Sequence, residues 1–128
     1  MKKLILLSFL SHLIWFSDNA QRTVELSDIR NHIGENVMVT GKVFTTSYLK
    51  EEKGSITFLN LGAASPNQLL TIVIKGKDYK KFNDLPANNF KDKIVSVVGK
   101  VELVKNTPRI VVHNYTDIIS IDIQKELE

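Results

Sequence analysis

No cysteine occurs among the 128 residues. That absence excludes a disulfide framework, thiolate zinc ligation and a lipidated N-terminal cysteine. Histidine is nearly as scarce, with three in the chain, His12, His32 and His113. They form no His-x-His pair, and His32 and His113 fall on unrelated segments with no carboxylate cluster near them in sequence, so neither a metal site nor a catalytic histidine is expected. Arginine after residue 20 is limited to Arg22, Arg30 and Arg109. No glycine-rich run ends in Gly-Lys-Ser/Thr, so GKV and IKGK are not phosphate loops. The Asn114-Tyr115-Thr116 match to a glycosylation acceptor is treated as chance.

Long apolar runs are also missing, with one exception at the start. Lys2 and Lys3 precede LILLSFLSHLIWF (Leu4 to Phe16), and Ala20 follows. A basic end, an apolar stretch too short for a membrane span and a small residue predict a signal peptide over residues 1–20, cleaved after Ala20, with Asp18 an unfavourable feature of the site. Residues 21–128 are then expected as a single exported domain, periplasmic or secreted, with no membrane attachment after cleavage. A chain of that length buries a core without disulfides.

Charge of one sign is lacking overall. Setting Lys2, Lys3 and Asp18 aside from 17 basic and 14 acidic residues leaves 15 and 13. The distribution is uneven, with nine basic residues against four acids from Lys75 to Arg109 and an acidic tail from Asp117. A basic surface of this kind suits a polyanion, although a solvated lysine face is the commoner explanation at this density.

What is present is strand pattern. NVMVTGKVFTTSYL alternates with Val37, Val39, Gly41 and Val43 on one face, and VSVVGKVEL repeats the pattern at Val95, Val97, Gly99, Val101 and Leu103. Each has a glycine where a strand bends. Between them lie ITFLNL and LLTIVI, separated by GAASPNQ, a turn by composition. Then comes KGKDYKKFND, a helix candidate with Tyr79 and Phe82 three apart. KNTP turns into RIVVHN, and TDIISIDI stays extended before QKELE. In front, LSDIRNHIG reads as a short helix capped by Ser27 and stopped by Gly34, with Leu26, Ile29 and Ile33 on one face. The fold class is all-β: a five-stranded barrel with a short N-terminal helix and a short helix between strands three and four.

HIGENVMVTGKV, TFLNLG, PNQLLTIVIKG, VVGKV and PRIVV together resemble a family of small exported bacterial OB-fold proteins described as nucleic-acid-binding by their fold, over about Ile29 to Ile121. Ser65 stands where a tyrosine before the proline is common in that family, and Ala63 and Ala64 supply no ring either. The resemblance implies a five-stranded OB-fold barrel whose ligand meets the outer faces of its second and third strands and two flanking loops. On this sequence these are Thr57, Leu59 and Leu61 or else Ile56, Phe58 and Asn60, together with Thr71, Val73 and Lys75. Leu70, Ile72 and Ile74 form the core set. Phe58 is either a platform for a base or a core ring. The first loop offers Tyr48, Lys50 and Lys53 beside Glu51 and Glu52, and the other offers Lys105, Asn106 and Arg109. The arginines and acids of a staphylococcal-type calcium nuclease are not matched. The expectation is therefore a non-enzymatic binding module without cofactor or metal, taking single-stranded nucleic acid or another polyanion; the alternative is an envelope module that recognises protein or carbohydrate through the same face.

Overall fold

The computed structural model describes residues 21–51, 54–82 and 86–121. The segment read as a signal peptide, Lys53 and the terminal QKELE lie outside them. The chain runs through β1 (Arg22–Val24), a 3₁₀ segment (Leu26–His32), β2 (Asn36–Glu51), β3 (Gly54–Leu61), β4 (Leu70–Lys75), a second 3₁₀ segment (Gly76–Lys81), α1 (Pro86–Phe90), β5 (Ile94–Lys100), β6 (Glu102–Val104), β7 (Thr107–Val112), a 3₁₀ turn (Tyr115–Asp117) and β8 (Ile118–Ile121). The strands hydrogen-bond in the order β6-β7-β4-β3-β2-β5-β8, with β1 parallel to β2. β4 and β7 pair in parallel and the other ladders of this path are antiparallel. The result is a curled, OB-like all-β sheet.

Eight strands are described where five were expected. Two of the extra ones are β1, which pairs with β2 off the main path, and β8, which ends the path beside β5. The third arises because the second glycine strand breaks at Val101, whose N–H donates to the Glu35 carbonyl (3.0 Å) and whose carbonyl accepts from Gly34 (2.7 Å). β5 pairs with β2 and β6 pairs with β7. The look-alike pieces VMVTGKV and VSVVGKV are direct antiparallel neighbours, with Val39 opposite Val97 and Val37 opposite Gly99.

Besides β1, which pairs along Val37 to Val39, β2 serves β5 through Asn36 to Lys42 and β3 through Val43 to Glu51. The register shifts between Val43 and Thr45, a bulge that bends the strand near Gly41. The glycines let neighbours approach: a Cβ on Gly41 would lie 2.7 Å from Leu26 Cδ2, and one on Gly99 would lie 2.5 Å from Ile110 Cγ2. The second contact brings β5 against β7 and curls the sheet around a core that includes Val37, Val39, Leu59, Leu61, Ile72, Val95 and Ile110.

A helical segment stands at both expected places, with its type, cap or bounds corrected. LSDIRNH is a 3₁₀ segment, and Ser27 is not its cap; Asp28 N–H bonds to the Glu25 carbonyl (3.0 Å) instead. Leu26 and Ile29 pack inward at the three-residue period of a 3₁₀ turn, whereas Ile33 lies beyond the segment and is exposed. Within KGKDYKKFND, Gly76–Lys81 is a 3₁₀ segment and the separate α1 comes after it; Asn83 and Asp84 lie outside the described residues. The spacing of Tyr79 and Phe82 suits three residues per turn as well as an α-helix, and both rings pack on the core. Phe82 meets Phe90 of α1 edge to face at 6.1 Å. Among the described residues no helix is long and apolar enough to cross a membrane.

Candidate functional site

Residues directly opposed in a ladder share a face of the sheet. On the side away from the core the register forms three rows. The first is Thr45, Asn60, Thr71, Arg109 and Glu102; the second is Ser47, Phe58, Val73 and Val111; the third is Leu49, Ile56 and Lys75. Of the two sets offered for the second strand, this face takes Ile56, Phe58 and Asn60. Thr57, Leu59 and Leu61 point inward and are completely buried.

Phe58 is half-buried on this outer face, and the Arg109 guanidinium carbon lies 5.6 Å from its ring centroid. Strand β4 runs between them, so the two side chains reach towards one another across Val73 and Thr71. That explains a correction: Thr71 (4% exposed) and Val73 (5%) are expected as ligand contacts but are buried on the outer face. Asn60 is corrected for a different reason. Its Nδ2 donates to Thr45 Oγ1 (3.0 Å) and its Oδ1 accepts from Thr71 Oγ1 (3.1 Å), while Gln68 Nε2 donates to Thr71 Oγ1 (3.2 Å). Ser65 N–H also reaches Thr45 Oγ1 (3.3 Å). The GAASPNQ loop is thereby folded over one end of the face, and Asn60 spends its amide holding that closure rather than facing solvent.

Tyr48 and Lys50 do not join Phe58. The bulge at Phe44 inverts the alternation, so that Tyr48 pairs with inward-facing Thr57 and Lys50 with Ser55. The Tyr48 hydroxyl donates to Ser55 Oγ (2.7 Å), and its ring lies 6.3 Å from that of Tyr79. The Tyr79 hydroxyl shares a 2.6 Å hydrogen bond with Thr57 Oγ1. Burial raises the Tyr79 pKa above the ordinary tyrosine value, against the lowering effect of the Thr57 bond and with a further rise from Tyr48. Lys105 sits with Asn106 in the β6–β7 turn, both at positive φ (49° and 66°). Arg30 holds that turn, its Nη2 donating to the Asn106 carbonyl (2.7 Å).

The basic stretch from Lys75 to Arg109 is divided among surfaces. Lys75 and Arg109 share the outer face, Lys93 lines a separate groove with Phe82, Phe90, Tyr115 and Ile119, and Lys100 lies opposite Asn36. The expectation that no carboxylate cluster lies near the histidines in sequence is corrected for His32. His32 lies between Glu35 (Nδ1 to Oε2, 2.5 Å) and Asp28 (Nε2 to Oδ2, 3.7 Å), and His113 Nδ1 lies 3.4 Å from Asp78 Oδ2. The His32 partners, at i−4 and i+3, were visible in the sequence as a helical-turn spacing; the His113 partner needed the fold. Among the described residues no group of three or more His, Cys, Asp or Glu is arranged to hold a metal ion.

No family model matches the chain, and no curated protein does. Solved structures do. The chain is similar in fold to the crystal structure of yeast Stn1 and Ten1, with a TM-score of 0.58 at 9% identity over 89% of this chain and 69% of that one. It also matches a protein of Leishmania major Friedlin described as an aspartyl-tRNA synthetase, with a TM-score of 0.46 and 16% identity over 79% of this chain. The chain spans only 21% of that protein's length. At such identities the likeness to the yeast structure is one of fold alone.

Proposed function

We propose that the protein is a non-enzymatic, OB-like binding module that takes single-stranded nucleic acid on the outer face of β3, β4 and β7. The observation that carries this reading is the Phe58 ring held 5.6 Å from the Arg109 guanidinium, on a face that also bears Lys75. A ring and a guanidinium plane offer a base a stacking surface, and the two cations meet phosphates; neither contact reads sequence, so the recognition is sequence-tolerant. Titration of a labelled oligothymidylate at low salt tests it. Binding that weakens as salt rises supports the reading, and no binding overturns it.

The export expectation belongs to the same proposal: residues 1–20 direct secretion and are removed after Ala20. N-terminal sequencing of the protein from the cell envelope or medium tests it, and an intact Met1 in that fraction overturns it.

One observation favours a second reading, an envelope module for a protein or carbohydrate partner. Leu49 is 45% exposed beside half-buried Ile56 on the same face, an apolar corner unlike a phosphate track. Crosslinking in intact envelopes that returns one recurrent protein, together with failed oligonucleotide binding, selects this reading.

A further inference from the structure

A groove of about 370 Å³ opens at the β8 end of the strand order, and none of its lining residues belongs to β3, β4 or β7. Strand side chains alternate between faces, so a groove that touches three consecutive residues, Ile118, Ile119 and Ser120, runs along the edge of β8 and not over one face of it. Among the described residues that edge has no strand beyond it, since β8 pairs with β5 alone. Buried Ile118 and Phe90 form the floor, and the Phe82 ring meets that of Phe90 edge to face at 6.1 Å. Tyr115 (56% exposed) and Ile119 (57%) stand at the mouth. They are the two most exposed large hydrophobic side chains among the described residues, and both line this one concavity instead of lying scattered.

Lys93 carries the one charge in the lining among the described residues. Its backbone is anchored on both sides, the N–H donating to the Phe90 carbonyl (3.2 Å) and the carbonyl accepting from the Val43 N–H (2.9 Å), which fixes the root of the side chain beside the floor. Asp92 and Asp117 neighbour lining residues in sequence but do not line the groove, and Asp117 Oδ2 accepts from Asn114 Nδ2 instead. A ring-walled apolar concavity with one placed cation is the pattern of a small-molecule site, and its volume lies at the low end of the range of about 300–1,000 Å³ for such sites. We propose that the groove is a second binding site, for a small aromatic carboxylate whose ring lies against Phe82, Tyr115 and Ile119 and whose anionic group meets Lys93. Covering apolar surface that the free protein leaves to water supplies the affinity. Lys93 supplies the choice of an acid over a neutral molecule of the same shape.

The test is titration of the protein with 2-naphthylacetate and, in parallel, with 2-(2-naphthyl)ethanol, which keeps the ring and replaces the carboxylate by a hydroxyl, followed by amide NMR shifts. Shifts at Lys93, Tyr115, Ile119 and Ser120 are expected to saturate together, with a Kd of about 1 mM or below for the acid and roughly tenfold weaker binding of the alcohol. Lys93→Gln should bind both probes with the affinity that the wild type has for the alcohol. Tyr115→Ala removes an exposed ring and should weaken both alike. Equal affinity of the wild type for acid and alcohol, a preference that Lys93→Gln keeps, or no saturable shift at these four amides overturns the proposal. Shifts at the same amides on raising the protein concentration without a probe would make the groove an interface between copies of the chain, which overturns it too. Oligothymidylate binding should be the same with and without saturating 2-naphthylacetate, so this site stands or falls apart from the nucleic-acid reading.

Discussion

The guanidinium of Arg109 lies 5.6 Å from the centre of the Phe58 ring, although a whole strand, β4, separates the two residues in the sheet. The contact shields the outward side chain of Val73 from water and holds an arginine, with its Nε enclosed, over an apolar strip. In the free protein, the partners that would recognise a base are therefore already ordered against each other. In the proposed complex, part of the entropy cost of binding would then be met during folding.

Removing either partner should separate binding from stability. Phe58→Ala is expected to weaken oligonucleotide binding by roughly 5- to 150-fold, the range for one lost base–aromatic stack of about 1–3 kcal/mol. Arg109→Ala should weaken binding while lowering stability by only about 0.5–1 kcal/mol, as for a partly exposed cation–π pair. Anisotropy titrations beside urea unfolding check both. If Phe58→Ala binds as the wild type does, the ring is a cover for β4 and not a platform.

The same face fixes how salt should act. With Lys75 and Arg109 as the cations brought together there, single-strand binding near pH 8 should show a log–log salt slope of roughly −1.4, about 0.7 for each of two phosphates. Lys75→Ala or Arg109→Ala should each reduce it by about 0.7. Lys93→Ala, which alters the separate groove, should leave the slope unchanged. A slope several times steeper would mean that the basic stretch from Lys75 to Arg109 acts as one surface after all.

How far the sequence reveals this arrangement differs from element to element. The inward set of Leu70, Ile72 and Ile74 follows from alternation alone, because the core imposes a period of two on any strand it covers. So does the kinship of the two glycine strands, which turn out to be adjacent. Tyr48 could not be placed in this way. One extra residue at Phe44 reverses every side chain beyond it, and nothing in FTTSYL marks the bulge. Thr71 and Val73 fail for another reason: the side chains that meet above their strand come from β3 and β7, two strands apart in the sheet, a tertiary effect with no local signature. The GAASPNQ loop reads correctly as a turn, but its return onto Thr45 and Thr71 depends on hydroxyls that only the folded register brings beneath it.

The closure of the sheet near Gly99 is open to a stability test. A Cβ there would lie 2.5 Å from Cγ2 of fully buried Ile110, a short branched side chain with little room to yield. Gly99→Ala is expected to cost about 1–3 kcal/mol through overpacking. Gly41→Ala meets the end of the longer, partly exposed Leu26 at 2.7 Å and should cost less. Combining Gly99→Ala with Ile110→Val should recover part of the loss, a non-additivity that urea midpoints of the double-mutant cycle would display. Equal losses at the two glycines would remove the argument that β5 and β7 are in close contact.

Alkaline pH probes the contact between Tyr79 and Thr57. Burial holds the Tyr79 hydroxyl pKa above the ordinary 10.0, outweighing the Thr57 hydrogen bond, with Tyr48 adding to the rise. The folded chain therefore keeps this proton at a pH where the unfolded chain has begun to lose it. Deprotonation then favours unfolding, so the contribution of Tyr79 is fully present below pH 10 and declines as pH rises through the interval above it. Tyr79→Phe should lower stability at neutral pH by about 1 kcal/mol, for the lost bond to Thr57, and should show a smaller alkaline decline than the wild type. Urea unfolding followed by circular dichroism across neutral and alkaline pH measures the difference between the two curves, which cancels the titration of the other tyrosines and the lysines. Parallel curves would assign the alkaline loss to those groups and not to the phenol held by Thr57.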